Sequence, residues 1–239
     1  MKFIDNSILV EMRRIRKEFG RGMQKTVAVA DVSLTVRCGE TAILIGPSGS
    51  GKTTLLTLAA GLASPTAGEL SLFGKPFDTF QPRELQKLRA QNIGFIFQTF
   101  RLLDPLTVLE NLILTRKFAG AARADAIADA TRLLSKLQIE HLADGYPSQL
   151  SQGEKQRVAA GRAMINNPRL IIADEPTANL ESKQALPLFE LLHDYVKQSR
   201  CGLLVATHDQ RILPFADRIL RLEDGLLSPH SHLEHYMEA

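Results

Sequence analysis

Nothing in the chain suits a disulfide framework, a membrane span or a nucleic-acid field. Cysteine is scarce: Cys38 and Cys201 are the only two in 239 residues, too few for a framework and without metal-ligand spacing. Each stands beside a glycine just ahead of an apolar run, which reads as a buried or turn thiol in a reducing compartment. No apolar run approaches the ~20 residues of a membrane span. The N-terminus is interrupted by Asp5, Glu11 and Arg13, unlike a leader. The expected location is therefore cytoplasmic, and any membrane role would need a separate membrane chain. Formal charge is only +3, which indicates neither a nucleic-acid partner nor a polybasic lipid patch. The one dense basic run, Arg13, Arg14, Arg16 and Lys17, reads as a solvated strand face. Internal repeats and low-complexity segments are missing too. The tail, 229–239, holds His230, His232 and His235 at irregular spacing, and disorder is expected there rather than a metal site.

What is present is ordinary globular material with one unusual stretch. A chain of 239 residues, 44% hydrophobic and 23% charged, can form one domain carrying an inserted subdomain. The stretch is Gly46, Pro47, Ser48, Gly49, Ser50, Gly51, Lys52, Thr53 and Thr54, which fits G-x-x-x-x-G-K-[ST]. The apolar run 41–45 before it reads as a buried strand, and 52–60 after it as a helix. Glycines let consecutive backbone N–H groups face one concavity. The helix start adds unpaired N–H groups and the positive end of its dipole. Lys52 would neutralise phosphate charge and the Thr53 hydroxyl would ligate Mg²⁺. Without its flanks the stretch would be a glycine-rich turn with a solvated lysine; strand and helix together make it a nucleotide site.

The remaining order is strand-rich at both ends and helical between. Residues 8–19 and 26–37 are predicted strands, the second alternating through Val27, Val29, Val32, Leu34 and Val36. Phe19 closes the first and either packs in the core or stacks on a purine. A strand over 68–74, a short helix over 82–90 and a strand over 93–97 follow, the last ending at Gln98, a polar stop or a group reaching the metal or water beside the phosphates. From 99 to 167 the chain is mostly helical (106–118, 123–138, 151–167), which looks like an insertion. Ser151 and Glu154 form a capping box; the same helix start, with Gly153 bare of side chain, is also an anion site. The strand 170–174 ends in Asp174 and Glu175, suited to a Mg²⁺ ligand and to a base for the attacking water. A strand over 201–207 ends at His208, which either caps a loop or serves the site. A helix over 182–199 lies between them, and a hairpin around Asp224 and Gly225 closes the chain.

Taken in order, these features resemble the ATP-binding subunit of ABC transporters over essentially the whole chain. Gly46 to Thr54 matches the Walker A loop, Gln98 the Q-loop, Leu150 to Glu154 the signature, Leu170 to Asp174 with Glu175 the Walker B motif, and His208 the switch histidine. Phe19 falls where that family stacks adenine. The resemblance implies an α/β fold: a P-loop NTPase (RecA-like) core, an N-terminal antiparallel β subdomain and a helical subdomain inserted at about 99–167, all within one domain over 1–228. It implies an ATPase using ATP and Mg²⁺, dimerising head to tail so that each ATP lies between Lys52, Thr53, Asp174 and Gln98 of one subunit and Ser151 and Gly153 of the other. Glu175 would be the catalytic base and His208 would contact the γ-phosphate. A membrane subunit would dock on the segment from Arg101 to Leu109 and hold the protein at the inner face of the membrane.

The stretches 97–111, 173–180 and 206–213 resemble the lipoprotein-release, macrolide-export and DevA-type exporter group, implying export or release of a membrane-associated substrate. Two departures stand out: Gln152 where the family most often has glycine, and Glu181 where it usually has aspartate. A regulatory ABC ATPase that moves a membrane partner without transport is an alternative. A soluble ABC ATPase acting on nucleic acid is another, disfavoured by the near-neutral charge and the lack of a coiled-coil insert or second cassette.

Overall fold

The computed structural model describes residues 7–20, 25–178 and 180–228; the tail expected to be disordered lies outside the described residues. In chain order the elements are β1 (Ile8–Phe19), β2 (Thr26–Arg37), β3 (Thr41–Ile45), α1 (Lys52–Ala59), β4 (Ala67–Leu72), β5 (Lys75–Pro76), α2 (Pro82–Asn92) and β6 (Ile93–Ile96). Then come α3 (Val108–Phe118), α4 (Arg123–Lys136), α5 (Gln152–Met164), β7 (Leu170–Asp174), α6 (Ser182–Ser199), β8 (Gly202–Ala206), β9 (Arg218–Glu223) and β10 (Leu226–Leu227).

Two sheets organise them. One is antiparallel, in the order β2-β1-β4-β5; the other runs β10-β9-β3-β8-β7-β6. The second is parallel except for β10, which turns back on β9. Asp224 and Gly225 make that turn with φ of 48° and 74°, the doubly left-handed pair that matches strand twist. β7 and β8 are buried at every residue, and so are the first four of β3. That is why these segments appear in sequence as unbroken apolar runs. Burying side chains such as Ile43, Ile172 and Leu204 contributes roughly 1.5–3 kcal/mol each. β2 alternates instead, because only one face of its sheet is covered.

Helix α1 packs against β7 and β8 of one sheet and against β1 and β2 of the other, so the loop that opens it is held from both sides. Between β6 and β7, neighbours in the parallel sheet, the chain leaves to build α3, α4 and α5. These close around Leu112, Ala130, Leu134, Leu137 and Val158. Helix α5 then returns to β6 so closely that a Cβ on Gly94 would lie 2.2 Å from the Ala163 carbonyl oxygen.

Several boundaries differ from the sequence expectation for local reasons. The strand expected over 68–74 stops at Leu72, because Phe73 and Gly74 take left-handed φ of 51° and 81° and fold the chain into β5. The helix expected from 106 starts at Val108, fixed by a capping box between Thr107 and Glu110. A 3-10 turn over Gln210–Phe215 was not anticipated; Asp209 caps it by accepting from the Arg211 N–H. In the basic run, Arg13 pairs with Glu11 and Arg16 with Glu18, each at 2.8 Å. Lys17 donates to the Ser64 carbonyl.

Candidate functional site

Parallel strands place their carboxyl ends along one edge, and there the loops after β3, β6, β7 and β8 meet. They border a cleft of about 340 Å³ lined by Ser48, Gly49, Gly51, Lys52, Thr53, Thr54, Gln98, Asp174, Glu175 and His208, together with Ala28 of β2. Residues from five separate stretches of sequence are thus brought to one place, four of them by the strand order of the parallel sheet.

The loop is shaped by close backbone approaches. A Cβ on Gly46 would meet the Leu222 carbonyl oxygen at 2.0 Å, and one on Gly51 the Ala28 carbonyl oxygen at 2.1 Å. Gly46 and Gly51 are therefore demanded by β9 and β2 behind the loop. Gly49, with φ 81° and nothing within 4 Å of its Cβ position, faces open space. Gly51 is the N-cap of α1 at φ 102°, with no side-chain cap. The first N–H groups of α1 consequently keep their capacity for an anion. Lys52 is nearly buried and donates to the Gly46 and Pro47 carbonyls at 2.8 and 2.9 Å. Ser50 is turned inward with its hydroxyl enclosed, and its N–H donates to Pro47.

Across the cleft, the Thr53 hydroxyl donates to Asp174 Oδ2 at 2.8 Å. Burial raises the Asp174 carboxyl above its ordinary range, the Thr53 bond and Lys52 lower it, and the charge of Glu175 raises it further. One carboxylate and one hydroxyl are hard oxygen donors of the kind Mg²⁺ accepts, and that ion normally keeps waters and nucleotide phosphates as its other ligands. Among the described residues no group of three or more His, Cys, Asp or Glu could hold a metal by itself. The donor set therefore fits Mg²⁺ arriving with a phosphate.

Glu175 has φ 49°, left-handed for a non-glycine residue, a conformation that costs ~1–3 kcal/mol and needs support. Its N–H donates to the Ala206 carbonyl at 2.8 Å. Its carboxylate meets His208 Nδ1 at 3.0 Å and accepts from the His208 N–H at 3.3 Å. The sequence placed both residues at strand ends but did not pair them. It also missed the bond from the Thr177 hydroxyl to Asp209 at 2.8 Å, which ties the two loops together, and it missed Ala28.

Six expected site residues do not line this cleft: Gly46, Pro47 and Ser50 belong to the loop itself, and Phe19, Ser151 and Gly153 lie elsewhere. Phe19 is half exposed at the end of β1, with the Lys17 ammonium 5.2 Å from its ring. Ser151 is the N-cap of α5 in a full capping box with Glu154. Its N–H and hydroxyl both donate to Glu154 Oε2, at 2.8 and 2.7 Å, and these bonds hold that carboxyl below its usual range. Gly153 follows, its Cβ position 2.4 Å from the Gln184 amide. The two remaining departures are exposed: Gln152 begins α5, and Glu181 is the N-cap of α6 without a side-chain cap bond.

Beyond Gln98 the chain enters a second groove, of about 380 Å³, bordered by Arg89, Phe97, Arg101, Phe118 and Arg162 among others. Arg162 of α5 donates to the carbonyls of Phe100 and Arg101. Those two residues sit consecutively in left-handed conformation. The Arg101 guanidinium lies 4.3 Å over Phe97.

The sequence profile of the ABC transporter family matches residues 12–178. The chain belongs to the ABC transporter family. It is 41% identical over 217 residues to the "Putative hemin import ATP-binding protein HrtA" of Staphylococcus aureus strain MRSA252, covering 91% of this chain and 98% of that protein. With the protein of the same name from strain Newman the identity is 42% over 214 residues, covering 90% and 96%. Among solved structures it superimposes with a TM-score of 0.87 and 34% identity on the ATP-binding cassette MJ0796, in a dimeric post-hydrolysis state bound to ADP and Pi. A second dimeric structure of that cassette, described as a bacterial ABC transporter cassette, matches equally well; each covers 94% of this chain and 98% of its own. The fold is accordingly the mixed α/β ABC cassette with an antiparallel β subdomain, and the chain is the ATP-hydrolysing subunit of a transporter, using ATP with Mg²⁺. No helix among the described residues of this ABC cassette is long and apolar enough to cross a membrane.

Proposed function

We propose that two copies of this chain close head to tail over two ATP molecules and drive a separate membrane subunit. The observation that supports this best is the placement of Ser151 and Gly153: they sit at an exposed helix start and contribute nothing to the cleft of their own chain. In the proposed dimer that helix start caps the γ-phosphate held by the partner's loop. The α1 N-terminus and Lys52 cradle the phosphates, with Pro47, Ser48 and Ser50 shaping the loop, while Thr53, Asp174 and Gln98 hold Mg²⁺. Glu175 takes the proton of the attacking water, and His208 orients Glu175 and reports the γ-phosphate. Phe19 supplies a stacking face for adenine. ATP and ADP then favour different dimer states, which any ligand-driven machine requires.

The membrane subunit docks on Arg101 to Leu109, beside the groove containing Arg162. Phe118 and Leu103, 69% and 45% exposed, give that surface apolar area, and the docked subunit keeps this chain at the inner face of the membrane. Stretches 97–111, 173–180 and 206–213 favour an exporter of membrane-associated substrate. The relatives named for putative hemin import favour a second reading, in which the same motor moves a tetrapyrrole, itself a membrane-partitioning molecule, inward.

The test of the dimer is Glu175→Gln. Turnover should fall about a hundredfold or more, while ATP and Mg²⁺ convert the protein to a stable dimer by light scattering. A variant that stays monomeric at saturating ATP and Mg²⁺ with the membrane partner present would remove the sandwich.

A further inference from the structure

Glutamine 156 has no role in the site described above, yet it is among the few buried polar side chains, with 2% of its surface exposed. It lies on α5, five residues after the Ser151 N-cap, about 7.5 Å along the helix. Its Nε2 donates to the carbonyl oxygen of Pro176 at 2.7 Å. Its Oε1 has no partner. A buried amide oxygen left unpaired costs about 1–3 kcal/mol, and a leucine or methionine of similar volume would fill the space without that cost. The side chain is therefore explained by what its N–H does.

What it does is hold the peptide immediately after Glu175. Residues 175–178 form a tight turn, closed by the Ala178 N–H donating to the Glu175 carbonyl at 3.3 Å, with proline at the second position, where its fixed φ is favourable. The turn is anchored on three sides. The Glu175 N–H is bound to Ala206 of β8. The Thr177 hydroxyl is bound to Asp209. The third anchor, and the only one of these from the helical block, is Gln156. A left-handed glutamate is costly enough that losing one anchor can let the backbone relax. Displacing a reacting carboxylate by about 1 Å can cost on the order of a hundredfold in rate.

We infer that Gln156 is a positioning residue for Glu175, and that it carries movement of α5 to that carboxylate. When the start of α5 engages the partner's γ-phosphate, the same helix repositions the Glu175 turn of its own subunit. Each ATP thereby conditions hydrolysis of the other. This rests on Glu175 being the base, so Glu175→Gln is included as a control.

The experiment measures ATP affinity, kcat and melting temperature of the full chain with Mg²⁺ for Gln156→Leu, Gln156→Glu, Glu175→Gln and the Gln156→Leu/Glu175→Gln pair. Gln156→Leu should lower kcat about tenfold or more at unchanged ATP affinity and with a melting temperature at or above that of wild type, and should add nothing to the loss in Glu175→Gln. In Gln156→Glu, a protonated carboxyl can donate to Pro176 and an ionised one cannot. Its kcat relative to wild type should therefore rise severalfold between about pH 8 and about pH 6, since burial raises a carboxyl into that range. This second variant remains readable if the leucine variant fails to fold. A Gln156→Leu kcat within twofold of wild type, a loss that tracks melting temperature, or a flat pH ratio in Gln156→Glu overturns the inference while leaving Glu175 in place. Wild-type turnover in Glu175→Gln overturns the base assignment and the inference together.

Discussion

Asp174 bears an electrostatic burden that the folded chain tolerates. Its carboxyl sits at the buried end of β7, where burial and the neighbouring Glu175 charge raise its pKa above the ordinary 3.8 despite the Thr53 hydroxyl and Lys52. A raised pKa in an acid means the native state binds the proton more tightly than the unfolded state, so stability declines as pH rises from about 3.8 through the native pKa. Above that value the whole cost is present. Asp174→Asn, whose amide oxygen can still accept from Thr53, should melt higher than wild type in nucleotide-free buffer near neutral pH. The difference should shrink as pH falls toward 4, followed by calorimetry across pH. The same variant should lose Mg²⁺-dependent ATP turnover by about a hundredfold or more.

At this scale the sequence was most informative where residues are neighbours. Gly46 through Thr54 announced a phosphate loop by spacing, and Asp174 and Glu175 by their position after an apolar strand. The contact of Glu175 with His208 spans 33 positions, and Gln156 reaches Pro176 across 20. No local pattern encodes either. The reason for Gly46 was also hidden, because the carbonyl it must avoid belongs to Leu222.

Elements were legible in proportion to how uniformly they are buried. β3, β7 and β8 are covered on both faces and announce themselves as apolar runs; β2 is covered on one and alternates. β5 has two residues, one of them proline, and gives no periodic signal. The 3-10 turn at Gln210–Phe215 depends on the Asp209 cap and on Arg211 pairing with Asp209 at 2.7 Å, which propensity does not foresee. An unusually close backbone approach joins the helical block to the core between Gly94 of β6 and Ala163 of α5. Gly94→Ala places a methyl against a backbone oxygen that cannot swing away. It should destabilise the protein by about 1–3 kcal/mol, lowering the melting temperature by several degrees, as thermal denaturation will report.

For the molecule as a whole, strand order does most to assemble the site, since it gathers the ends of β3, β6, β7 and β8 into one cleft. It leaves the start of α5 outside that cleft, which is the observation behind the proposal that a two-fold related copy completes the site. The most direct measurement mixes two inactive variants. Lys52→Ala removes the phosphate lysine, and Ser151→Arg blocks the helix start; each homodimer should be inactive. In a mixed dimer one site carries both defects, while the other combines an intact loop from one chain with an intact α5 start from the other. Random mixing with Mg²⁺ and ATP should then occlude one ATP in each mixed dimer, about half of all dimers, which neither variant does alone. If mixing occludes no ATP while the two variants are shown to co-assemble, the ATP site does not lie between subunits.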